Sequence, residues 1–317
     1  MQEVVGFVAQ ALATQDDVEP IAGGYLRTTE EGLTMLAFLP IPQGGHSGLV
    51  TGVALVETRF ASDIWADCDD DFIAWLNQRA AAGSFFRDAR GVGCRLTYSL
   101  YHDDPLARWI AMDLLGAFGR QLAIGQGLFA MEVSRAHFHA SRQVIGVSRH
   151  WAKRLPLDAF EEIADGLRQY WGIVSSAESH RLVFEVPMTA DTATRGVDPD
   201  AETALITIRT DIQHPLAGVG YCATIVLPRQ PPPELLTMWC TRLNALEHQQ
   251  QDFAPRLGAW GKRDLGTRLV YGLFCPADAA GLNRATNIAH WMVMRALWVR
   301  TNFWTPDVGL HYRGEDA

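Results

Sequence analysis

His137-Phe138-His139 sets two imidazoles one residue apart, which places both on one side of an extended segment, as a zinc-type site requires. Further ligands would have to come from far along the chain, with His102 and His150 as the hints. A solvated or acid-paired segment is the expectation, with no metal and no cofactor. Gly44-Gly45-His46-Ser47-Gly48 approaches a nucleophile elbow, but Gly-x-Ser-x-Gly needs glycine at 49, where Leu49 stands, and the run lies between two strands. It is expected to be a hairpin loop. Asp67, Asp69, Asp70 and Asp71 lack the alternate spacing and the turn glycine of a calcium loop. Negative charge gathered at a helix start, favoured by the helix dipole, accounts for them.

His102-Asp103-Asp104-Pro105 has acid–base groups, yet the same residues make a strand-to-helix turn, with Asp104 as N-cap and Pro105 at the first helical position. Neither Gly-x-Gly-x-x-Gly nor a Walker-type phosphate loop occurs. No catalytic, cofactor-binding or metal residue is assigned, and the chain is not expected to be an enzyme.

The spacing that does recur is of another kind. Gly93-Cys94-Arg95-Leu96-Thr97-Tyr98-Ser99-Leu100-Tyr101 returns as Gly266-Thr267-Arg268-Leu269-Val270-Tyr271-Gly272-Leu273-Phe274. Leu76-Asn77 precedes the first copy and Leu243-Asn244 the second. Cys94 has no histidine close by and corresponds to Thr267, which speaks against a nucleophile. Arg95 and Arg268 are shared. A structural ion pair or a hydrogen bond to a loop carbonyl comes first for them, and recognition of an anion or partner second.

The elements around these copies repeat as well. In the first half, Val4, Val8 and Leu12 mark an opening helix, and three strands follow near 24–28, 33–39 and 49–58. A helix spans about 69–82, a hairpin turns at Arg90-Gly91, and a long helix runs to about 122. In the second half, Phe160, Ile163, Ala164, Leu167, Tyr170 and Trp171 form one helical stripe, capped by Asp158 and stopped by Gly172. Strands about Leu182–Val186, 204–208 and 220–227 come next, then a helix launched by Pro231-Pro232-Pro233-Glu234 and facing Leu235, Leu236, Trp239, Leu243 and Leu246 inward. A hairpin and a closing helix, Leu282–Phe303, complete it.

Each half thus has the order α-β-β-β-α-β-β-α, an α+β class with one antiparallel sheet and helices packed on one face. In the repeated strand, Leu96, Tyr98 and Leu100 alternate to one side, as do Leu269, Tyr271 and Leu273. That side is the expected common core. The other side, with Thr97 and Ser99 against Val270 and Gly272, is expected to be free to diverge.

The element order, the tandem copy and the Leu-Asn then Gly-x-Arg-Leu-x-Tyr signature resemble the type III secretion chaperone-like fold, particularly its YbjN-like (bacterial sensory-transduction-regulator) branch. That resemblance implies a non-catalytic protein-binding or regulatory domain, often paired as a dimer, with no catalytic residues to carry over. Here two unequal copies share one chain.

The chain has 317 residues, enough for two domains, and its 48% hydrophobic and 20% charged side chains are those of a globular protein. A net charge of −9 argues against a general nucleic-acid binder. No apolar run is long enough to span a membrane, and Met1–Asp17 lacks the basic start of a secretory signal. Five cysteines without a Cys-x-x-Cys pair fit a reducing cytoplasm.

The organisation expected is a first domain over 1–133, a basic linker over 134–156 and a second domain over 157–317. The linker holds Arg135, Arg142, Arg149, Lys153 and Arg154 and no acidic residue. Arg135, Arg142 and Arg149, with Trp291 and Trp298 on the closing helix, are the candidate partner-binding residues, although core packing is the default for the tryptophans. The leading function is binding to an unidentified protein by a monomeric pseudo-dimer or a homodimer. The competing readings are a structural subunit of a larger assembly, or an enzyme with a site between the domains.

Overall fold

The computed structural model describes residues 1–41, 50–61, 65, 68–78, 81, 83–102, 107–137, 158–178, 180–189, 202–210, 212–214, 216–249, 257–263, 267–276, 282–305 and 308–311. The first half runs α1 (Gln2–Leu12), β1 (Glu19–Ile21), β2 (Gly24–Thr29), β3 (Gly32–Pro40), β4 (Val50–Phe60), α2 (Asp70–Asn77), β5 (Ser84–Asp88), β6 (Gly91–Tyr101) and α3 (Ala107–His137). The second runs α4 (Asp158–Trp171), β7 (Ser175–Glu178), β8 (Arg181–Pro187), β9 (Thr203–Arg209), β10 (Gln213–His214) and β11 (Gly218–Val226). A 3₁₀ turn at Pro233–Leu235 then leads to α5 (Leu236–Gln249), β12 (Ala259–Arg263), β13 (Arg268–Pro276), α6 (Leu282–Phe303) and the short pair β14 (Trp304–Thr305) and β15 (Gly309–Leu310).

The chain is α+β, with one large sheet in each half and the same strand order along both. The first is β1-β2-β3-β4-β6-β5 and the second β7-β8-β9-β11-β13-β12, with β10 paired to β11 off that path. Each is a four-strand meander followed by a hairpin whose second strand pairs with the fourth, leaving the hairpin's first strand at an edge. The pairings are antiparallel. Each meander has one strand more than the sequence predicts. The additions, β1 (Glu-Pro-Ile) and β7 (Ser-Ser-Ala-Glu), are short edge strands without apolar alternation, held by backbone pairing to β2 and β8.

By compactness the chain divides into one unit of Met1–Arg142 with Cys240–Trp260 and another of Gln143–Trp239 with Gly261–Ala317. In the first unit α1 and α3 pack on each other, α3 lies on β3, β4 and β6, and α2 packs on β5. Val4, Val8 and Leu12 of α1 and Ile110, Leu114 and Phe118 of α3 are buried there. Asp69 caps α2, its Oδ1 accepting from the Phe72 N–H at 2.8 Å, with Asp70 and Asp71 in the first turn, as the helix-start reading requires. A polar relay crosses this core: the Thr34 and Thr58 hydroxyls meet at 2.9 Å, and Thr58 donates to Gln121 Oε1 at 2.7 Å. The same unit holds Cys240–Trp260, where the Gly83 N–H donates to the Leu257 carbonyl and the Ser84 hydroxyl is hydrogen-bonded to the His248 ring.

In the second unit α6 packs on α4 and on β8, β9, β11 and β14. The alternating residues Leu182, Phe184 and Val186 of β8 and Ala204, Ile206 and Ile208 of β9 are buried. Among the described residues no helix is long and apolar enough to cross a membrane.

The Leu-Asn signature has a physical role in both copies. Leu76 and Leu243 are fully buried. Asn77 Oδ1 accepts from the Phe85 N–H at 2.7 Å and its Nδ2 donates to the Phe85 carbonyl at 3.0 Å. Asn244 does the same to Trp260, at 2.8 Å and 2.9 Å. Phe85 lies on β5 and Trp260 on β12, the edge strands of the two hairpins, so each asparagine amide pairs with one edge residue as a further strand would. An isolated edge N–H and C=O in buried surroundings would otherwise go unsatisfied.

Candidate functional site: an aromatic corner at the end of a helix

In the repeated strands the expected core faces are buried: Leu96, Tyr98 and Leu100 in β6, and Leu269, Tyr271 and Leu273 in β13. The opposite faces are not left open. Thr97, Ser99 and Val270 are also buried and Gly272 is half-buried, so the copies differ there mainly in chemistry. The shared tyrosines meet different charges. Tyr98 donates its hydroxyl proton to the Asp113 carboxylate on α3, whereas the fully buried Arg295 of α6 lies over the Tyr271 ring, 4.1 Å from its centroid.

The shared arginines also part ways. Arg95 forms an ion pair with the buried Glu57, directly opposite it on β4, at 2.6 Å. Arg59 joins at 2.8 Å and extends the network to Asp88, while Phe86 lies under both guanidinium groups. The Arg59 contacts hold the Asp88 carboxyl down at about 2. Arg268 is exposed, and the β11–β13 ladder ends at Val226–Val270, short of it. In the first copy, then, the shared arginine takes part in a structural ion pair. Cys94 is buried, and desolvation pushes its thiol far above the ordinary range, the opposite of an activated nucleophile.

One stretch of exposed apolar side chains lies at the end of α4. Phe160, Ile163, Ala164 and Leu167 are buried as their spacing predicts. Gly172 then takes a left-handed φ of +65° and donates its N–H to the Arg168 carbonyl, while the Ile173 N–H reaches the Leu167 carbonyl. This turn buries Ile173 and leaves the last helical residues outside. Tyr170 is 74% exposed, Trp171 37% and Val174 66%. Tyr170 and Trp171 thus continue the helical stripe but stand outside the core that its first four residues enter.

Trp171 crosses to α6, its Nε1–H donating to His290 Nδ1 at 2.8 Å, and Tyr170 presents its ring edge-on to the same imidazole. Accepting at Nδ1 fixes His290 as the neutral tautomer with its proton on Nε2. Burial lowers the His290 pKa from its ordinary 6.5. Met294, one turn along α6 from His290, is 38% exposed and extends the patch. Behind it, α4 exposes Glu161, Glu162 and Asp165, with Arg168 engaged to Asp165.

Of the candidate partner-binding residues, Trp298 is buried against Phe303 and serves the core, while Trp291 is half-exposed on α6. Arg142 and Arg149 lie outside the described residues, as do Lys153, Arg154, His139, His150, the 44–48 loop, Asp67 and Asp103-Asp104-Pro105. Arg135 and His137 fall on the last turns of α3, which runs beyond the expected end near 122 and into the predicted linker. Among the described residues no group of three or more His, Cys, Asp or Glu could hold a metal. Sequence reasoning missed Val174, His290 and Met294, and nothing in their local spacing marks them. No protein-family model, curated protein or solved structure matches the chain.

Proposed function

We propose that this chain is a non-catalytic protein-binding component, chaperone-like or regulatory, that uses a pseudo-dimeric pair of similar α+β units to present the aromatic corner of α4 and α6 to one partner protein. The observation that carries this reading is the exposure of Tyr170, Trp171 and Val174, large apolar side chains at the end of α4, with Met294 exposed on α6 one turn from His290. The exposed acidic row Glu161, Glu162 and Asp165 behind the corner suits an apolar segment flanked by basic residues. Five cysteines, four of them buried and none in a Cys-x-x-Cys pair, support a reducing, cytoplasmic setting. The resemblance to the type III secretion chaperone-like and YbjN-like fold points the same way.

The test is affinity capture from the native host with the full chain and a Tyr170→Ser/Val174→Asp variant. One stoichiometric protein retained by the first and lost by the second supports the reading. Equal recovery of the same protein by both removes the corner from it.

A further inference from the structure

We infer that Trp171 and His290 form a proton-operated latch, closed while the imidazole is neutral and released when it is protonated, so that the exposed aromatic corner changes shape with pH. The indole N–H can only donate, and His290 Nδ1 receives it at 2.8 Å. A proton on Nδ1 would set two donors against each other, so protonation and the hydrogen bond exclude one another.

The surroundings favour the closed state near neutrality. The imidazole is half-buried between α4 and α6, and burial disfavours its charged form. From α4 the groups beside it are Tyr170 and Trp171, with the Asp165–Arg168 ion pair one turn back. Along α6 its helical neighbours are Thr286, Asn287, Val293 and Met294, all uncharged. Further along α6 the buried Arg295 lies over Tyr271 of β13, and Tyr221 of β11 has its hydroxyl raised by burial to about 12, so that it stays neutral throughout. Release would free the Trp171 side chain while its helix stays closed by Gly172, confining the change to the corner. The biological consequence rests on the binding role proposed above; the latch itself does not.

The test therefore uses the free, full-length protein. Proton–nitrogen NMR would follow the Trp171 indole N–H, assigned by its loss in Trp171→Phe, alongside the His290 ring protons from pH 8 to 4.5. The latch predicts that both report one apparent pKa below 6.5. The latched fraction then falls about tenfold per pH unit once the ring is mostly charged. In His290→Gln, whose side-chain oxygen still accepts but does not titrate, the indole signal stays constant, and in Trp171→Phe the His290 pKa rises. An indole signal indifferent to pH while His290 titrates overturns the latch, as does an unchanged pH response in His290→Gln. Neither outcome bears on whether a partner is bound, which capture at pH 7.5 decides separately.

Discussion

The Asn77–Phe85 and Asn244–Trp260 clasps are one device built twice, whereas the helices over the shared tyrosines bring a carboxylate to Tyr98 and a guanidinium to Tyr271. The contrast separates positions of this fold that the backbone dictates from positions that it leaves open. An edge strand entering a buried hairpin must have its N–H and C=O satisfied, and a side chain carrying both an amide donor and an amide acceptor does this at one stroke. A ring on the sheet face needs only to be covered, and either charge can do so if its geometry allows.

The largest effect should come from breaking the clasps. Asn77→Ala and Asn244→Ala each strand two backbone groups, and each should lower unfolding free energy by roughly 2–4 kcal/mol. Urea denaturation of the two variants checks this. Comparable losses support the equivalence of the clasps, and a negligible loss in one breaks it. Next come the tyrosine partners. A double-mutant cycle of Tyr98→Phe with Asp113→Asn should give a coupling of about 1–2 kcal/mol, as expected for a hydrogen bond to a half-buried carboxylate. A Tyr271→Leu with Arg295→Met cycle should give a comparable coupling from cation–π contact, about 1–2 kcal/mol in this desolvated setting.

A smaller effect is expected at the corner, where Val174→Asp should change stability by no more than about 0.5 kcal/mol, because the residue is mostly exposed. The smallest concerns Asp88. Its native carboxyl value of about 2 lies below the ordinary 3.8, so its contribution is present above the ordinary value and lost as pH falls through about 2. Wild type and Asp88→Asn should therefore differ slightly in urea midpoint at pH 6 and converge near pH 2, and the gap should shrink in high salt.

Much of the fold was legible because it rests on periodicity. The closing helix, the α4 stripe up to Leu167 and the buried faces of β6 and β13 follow from alternation or helical spacing, and the hairpin turn falls at Ala89-Arg90, one residue before the expected Arg90-Gly91. Strands β1 and β7 escaped because edge strands of three and four residues carry no apolar pattern. The roles of Asn77 and Asn244 were visible only as a repeat, since their partners lie eight and sixteen residues on. The candidate corner was legible least. Tyr170 and Trp171 fit the apolar stripe, and only the geometry of the Gly172 turn decides that they lie outside it. His290 acquires meaning only from an indole 119 residues away.

Amide hydrogen exchange at Phe85 and Trp260 addresses the paired clasps most directly. Both amides should be strongly protected in the native protein, and each should lose that protection selectively when its own asparagine is changed to alanine. Exchange of either amide at the rate of an open edge strand in the unaltered chain would contradict the paired-clasp account.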